Sequence, residues 1–128
     1  MKKIFLFIVI ISGILCAGCH NDNMGFPRKI DVGREGDTVL VRSVNTGGWH
    51  VVDKNNESLA FESVVETEDG EFYVTEYDWL TVINRPGVPN DTVIVAPNTT
   101  GEPRTVYLYY EINYSLSFKA ARIAINQR

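Results

Sequence analysis

The sequence predicts an all-β domain, a sandwich or barrel of about eight short strands. Three observations carry this expectation. Apolar residues recur with a period of two, as in Val106, Leu108 and Tyr110 against Thr105, Tyr107 and Tyr109. Turn compositions rich in Asn, Asp, Gly and Pro interrupt the chain every ten residues or so. No segment sustains a 3.6-residue apolar period with helix caps.

The elements follow in order. Thr38 to Val44 is rich in β-branched residues and ends at the turn Asn45-Thr46-Gly47-Gly48. Trp49 to Val52 is a short strand closed by Asp53-Lys54-Asn55-Asn56. Ser58 to Val65 and Glu71 to Tyr77 flank Glu68-Asp69-Gly70, which reads as a hairpin with a type I′ turn. Trp79 to Ile83, a loop over Arg85-Pro86-Gly87-Val88-Pro89-Asn90, then Asp91 to Ala96, Arg104 to Ile112 and Leu116 to Asn126 complete the set. In the last strand Leu116, Phe118 and Ala120 share one phase and Ile123 and Ile125 the other, which predicts a bulge near Ala121-Arg122.

The N-terminus reads differently. Met1-Lys2-Lys3 is basic, Ile4 to Leu15 is apolar, and Cys16-Ala17-Gly18-Cys19 ends the run, the layout of a secretory signal. The run is shorter than the ~20 residues that span a bilayer. Ala17-Gly18-Cys19 resembles the end of the bacterial lipobox, where signal peptidase cleaves before a cysteine that carries lipid. Cys16 stands where Leu is usual, with Leu15 one place earlier. The organisation expected is therefore a lipoprotein signal peptide over 1–18, a tether over 19–28 from lipidated Cys19, and one β domain over 29–128. Both cysteines of the chain are consumed in the leader or the lipid, leaving no thiol for a disulfide, a metal site or a nucleophile.

The formal charge is -4, and loss of Lys2 and Lys3 takes the mature chain to about -6. That excludes nucleic acid as an expected partner, because phosphate binding needs clustered cations. It equally excludes a polybasic membrane patch, so the lipid is the membrane device.

Trp79-Leu80-Thr81-Val82, then Asp91 to Ala96, then Asn98-Thr99-Thr100-Gly101 with Arg104 after it, and the ending Ile123-Ala124-Ile125-Asn126-Gln127 resemble the BACON domain, the Bacteroidetes-associated carbohydrate-binding often N-terminal domain. Gly36 to Val44 followed by Trp49 resembles its opening strand and first tryptophan. The resemblance covers about four fifths of the chain and departs in the middle, where an extra hairpin around Asp69-Gly70 separates Trp49 from Trp79. It implies an immunoglobulin-like sandwich of about 7–9 antiparallel strands and a carbohydrate-handling role. Asp37-Thr38-Val39 and Asp91-Thr92-Val93 also resemble the short O-glycosylation pattern of Bacteroidetes secreted proteins, making Thr38 and Thr92 candidate modification sites.

Catalysis is not expected. His20 lies in the tether and His50 on a strand, so no imidazole set exists for zinc. No Gly-x-Ser-x-Gly elbow occurs. Glu66, Glu68, Asp69 and Glu71 cluster at a hairpin tip, where nothing shields them from water or raises a pKa. No cofactor or metal is expected. Trp49 and Trp79 are candidate core residues. Tyr107 and Tyr109, with Tyr73 and Tyr77, are the candidate ligand or partner surface, since outward tyrosines form a flat platform for a sugar ring. The reading is a non-catalytic envelope lipoprotein with a glycan-binding or accessory module, the alternative being a spacer or assembly module. His20-Asn21-Asp22-Asn23 carries one acid. Resemblance associates surface-exported lipoproteins with an acidic run there, so the periplasmic leaflet of the outer membrane is favoured over the surface.

Overall fold

A computed structural model describes residues 23–44, 48–114 and 117–128. Cys19, the signal segment, the turn residues Asn45 to Gly47 and Leu116 lie outside the described residues. The described chain is a β-sandwich of nine strands: β1 (Lys29–Val32), β2 (Asp37–Arg42), β3 (His50–Val52), β4 (Phe61–Thr67), β5 (Gly70–Tyr77), β6 (Leu80–Asn84), β7 (Asn90–Val95), β8 (Arg104–Tyr114) and β9 (Ser117–Gln127).

One sheet has the order β1-β9-β8-β3 and the other β2-β7-β6-β5-β4. With β3, β8 and β9 in one layer and β2, β7 and β6 in the other, the order is that of an immunoglobulin-type sandwich extended by the β4–β5 hairpin. Alternation builds the core. Val106, Leu108 and Tyr110 of β8 and Ala121, Ile123 and Ile125 of β9 meet Val41, Val82, Val93 and Val95 of the opposite sheet, all buried.

The antiparallel expectation fails at β1, which runs parallel to β9 with Lys29 opposite Ala124 and Val32 opposite Gln127. Four residues of weak alternation give no strand signal of their own. The partner that holds them is at the far end of the sequence.

Three local readings are also corrected. The β8–β9 register runs unbroken from Arg104↔Gln127 to Tyr114↔Ser117, so there is no bulge at Ala121-Arg122. The phase of Phe118 faces outward and leaves that ring 58 % exposed, so its apolar character did not mark the core side. In the β4–β5 hairpin, Glu68 and Asp69 do not take positive φ, and Gly70 at φ 118° supplies the only left-handed residue, so the turn is not type I′. The Thr67 hydroxyl closes it, donating to Gly70 O and accepting from Asp69 N. The strand expected from Ser58 begins at Phe61, Ser58 making only an isolated bridge to Val52.

The packed domain begins earlier than residue 29. Asn23 and Phe26, placed in the tether by sequence, are buried. Phe26 packs edge-on against Trp49 at 4.8 Å and lies under the Arg42 guanidinium at 4.1 Å. The Asn23 amide donates to Phe26 O, Pro27 O and Arg122 O and accepts from Arg122 N. A lone aromatic in a polar stretch carries no periodicity, so only the three-dimensional fit reveals it.

One glycine is obligatory. Gly36 has φ +87°, and a Cβ there would stand 2.5 Å from Val95 O.

Candidate functional site

The five-stranded sheet is wider than the layer that covers it, and the excess is the β4–β5 hairpin. Val41, Val93, Val82 and Leu80 are covered by the opposite sheet, whereas all seven residues of β4 are exposed. Cross-strand registers place Asn84, Tyr73 and Val64 in one row on the inner face, next to Val82, Thr75 and Glu62. Asn84, Tyr73, Val64 and Glu62, with Gly48 and His50 at the edge of the other sheet, Ser43 and Val44, and the loop Arg85–Val88, wall a groove of about 820 Å³. Its size lies within the range of small-ligand clefts, and its lining mixes one aromatic ring with amide, carboxylate and guanidinium groups.

A buried carboxyl backs this groove. Asp91 is fully buried; its Oδ1 accepts from Ser43 Oγ at 2.8 Å and from Asn84 Nδ2 at 2.7 Å. Its Oδ2 has no hydrogen-bond partner among the described residues. Asp91 thereby fixes the rotamers of two groove residues and turns the Asn84 carbonyl away from itself.

The four candidate tyrosines do not come together. Tyr107 and Tyr109 lie on the outer face of the four-stranded sheet, half-buried, opposite Val52 and His50. The Arg122 guanidinium stacks 4.0 Å over the Tyr107 ring and donates to Lys54 O, so one face of that ring is occupied. The Tyr109 hydroxyl donates to Glu111 Oε1 at 2.6 Å, which pushes its pKa up. Lys54 belongs to a turn fixed by Asp53, whose Oδ1 accepts from Glu57 N and Asn55 N. These two donors hold the Asp53 carboxyl below the usual range. Tyr73 and Tyr77 are instead on the inner face of the other sheet, Tyr73 in the groove and Tyr77 edge-on to Trp79 at 6.3 Å. The outward placement expected of Tyr73 and Tyr77 therefore fails: Phe72 and Val74 point outward instead, with Arg85 stacked over Phe72 at 4.3 Å.

Trp49 and Trp79 are buried in the core cluster. Trp49 packs between Phe26 and Tyr110, and Trp79 lies under the Arg104 guanidinium at 4.4 Å. Thr38 is exposed beside exposed Asp37. Thr92 is half-buried and follows fully buried Asp91, so its Asp-Thr pair is not presented as a surface motif.

The stretch from Asn98 to Arg104 closes one end of the sandwich. Asn98 is buried; its Nδ2 donates to Glu102 O and Arg128 O, and its Oδ1 accepts from Thr100 N and Oγ1. Buried Gln127 donates to Gly33 O and Ala96 O and accepts from Arg104 Nε. Arg104 donates its remaining bonds to Ala96 O and Pro97 O. These bonds tie the Asn98–Arg104 loop to the chain's last residues and to Gly33.

Among the described residues no group of three or more His, Cys, Asp or Glu is placed to hold a metal ion, and no helix is long and apolar enough to cross a membrane. Comparisons with family models, with curated proteins and with solved structures find no match.

Proposed function

We propose that this chain is a non-catalytic envelope lipoprotein, lipidated at Cys19, whose sandwich is a glycan-binding or accessory module, and that the ligand lies in the groove at Tyr73 rather than on the Tyr107–Tyr109 face. One observation carries the placement: the groove is the site where an aromatic ring, Tyr73, stands among hydrogen-bonding side chains, Glu62, Asn84 and Arg85, beyond the cover of the opposite sheet. Tyr107 lacks that freedom because Arg122 occupies its ring face. The anchor reading rests on Ala17-Gly18-Cys19, with the periplasmic leaflet of the outer membrane as location. The test is titration of the protein with a panel of soluble bacterial and plant oligosaccharides. Tyr73→Ala removes most affinity while Tyr107→Ala/Tyr109→Ala keeps it. Equal binding by Tyr73→Ala excludes the groove. Palmitate labelling of Cys19→Ser checks the anchor, and labelling that survives the change sinks it.

A spacer or assembly module is the second reading, favoured by one specific feature: β4 is an edge strand with every residue exposed, including Phe61 at 85 %. Soluble domains ordinarily blunt such edges.

A further inference from the structure

β4 ends its sheet, and among the described residues no strand pairs with its outer side. Seven residues at ~3.4 Å each offer about 24 Å of open ladder. The inner face of β4 carries two charges, Glu62 and Glu66, and the outer face carries none. There is no proline, lysine or bulge between Phe61 and Thr67, and the register to β5 is unbroken. Phe61, Val64 and Val65 are all exposed apolar residues on this strand.

The two faces of β4 differ in chemistry. Phe61, Ser63 and Val65 share the outer face, and Glu62, Val64 and Glu66 the inner one. Glu66 stands directly opposite Glu71, a like-charge cross-strand pair. The hairpin also carries Glu68, Asp69 and Glu76 and no Lys or Arg, and none of these acids has an ion-pair partner among the described residues. A second copy fits this edge poorly. Antiparallel self-pairing over all seven residues centres on Val64 and sets Glu62 against Glu66 of the other copy, twice.

We propose that the free edge of β4 accepts an extended strand of another protein, with cationic side chains on the face that meets Glu62 and Glu66 and apolar side chains on the face that meets Phe61 and Val65. The open N–H and C=O groups supply the pairing, and the two faces supply the selectivity. A cation opposite Glu66 neutralises one member of the Glu66–Glu71 pair and so weakens their repulsion. The proposal rests on the assembly reading and gives it a partner chemistry.

The experiment uses the whole protein and two eight-residue fluorescent peptides, one alternating valine and lysine, the other valine and glutamate. Anisotropy measures affinity, and amide hydrogen exchange locates binding. The expected result is that the lysine peptide binds at least tenfold tighter than the glutamate peptide and slows exchange over Phe61–Thr67 about tenfold or more. Glu66→Lys, at an exposed site outside the groove, removes the preference. Equal binding of the two peptides overturns the proposal, as does lysine-peptide binding without protection of β4. Concentration-dependent dimers with β4 protected in the absence of peptide assign the edge to a second copy and overturn it too. A partner that protects the Tyr107 face and leaves β4 exchanging keeps the assembly reading but removes this proposal. None of these outcomes bears on glycan affinity at Tyr73.

Discussion

The Asn98–Arg104 corner and the β4–β5 hairpin solve opposite problems. At the corner, polar side chains are buried and each is matched by a backbone or side-chain partner, as with the Gln127 amide between Gly33, Ala96 and Arg104. On β4, apolar and acidic side chains are exposed, and the acids have no ion-pair partner among the described residues. Paired polar groups hold the corner shut, whereas the hairpin leaves a backbone edge unpaired among the described residues.

Core substitutions at the closed end give the largest expected effect. Trp79→Ala removes the ring that sits between Tyr77 and Arg104 and costs about 3–5 kcal/mol. The urea midpoint measures it, and an unchanged midpoint breaks the contrast at its strong side. Asn98→Ala removes the partner of Arg128 O and Thr100 N and one of two donors to Glu102 O, with a cost of about 1–3 kcal/mol. The same melt reads it, and a loss under half a kcal/mol shows that the corner is less closed than its bonds imply. On the hairpin, Phe61→Ser changes stability by about 0.5 kcal/mol or less, since the ring is 85 % exposed. A large loss there means that the edge is covered.

The smallest effect is a titration on the outer face of the other sheet. Glu111 accepts the Tyr109 proton and raises that pKa. A raised tyrosine pKa stabilises the fold fully below the ordinary tyrosine value, and the contribution disappears as pH climbs through the raised one. Glu111→Gln should bring the phenolate absorbance of Tyr109 in at lower pH. No movement means that the bond does not persist in solution.

How much of this was legible in the sequence follows from the range of each interaction. Strands β2, β7 and β8 announce themselves through β-branched alternation, and the buried face of β8 follows from it. β1 does not, because Lys29–Val32 is held by β9, and neither does Phe26, whose place depends on Trp49 and Arg42. Phe118 was misleading since hydrophobicity fixes phase only where a layer covers the strand. Of the site, Tyr73 was named from sequence, but its company of Asn84 and Arg85 depends on pairing within an atypical hairpin. Asp91 behind it gave no signal, for a carboxylate at a strand start reads as a turn residue.

The pairing of β1 with β9 also sets an order in time. Asn23 bonds to Arg122 across 99 residues of chain, so this contact cannot form until nearly the whole domain has emerged and its last strand is placed. Closure of such a loop is slow compared with forming the β4–β5 hairpin, whose partners are neighbours in sequence. Asn23 is thus made long before its partner and is among the last residues to be fastened.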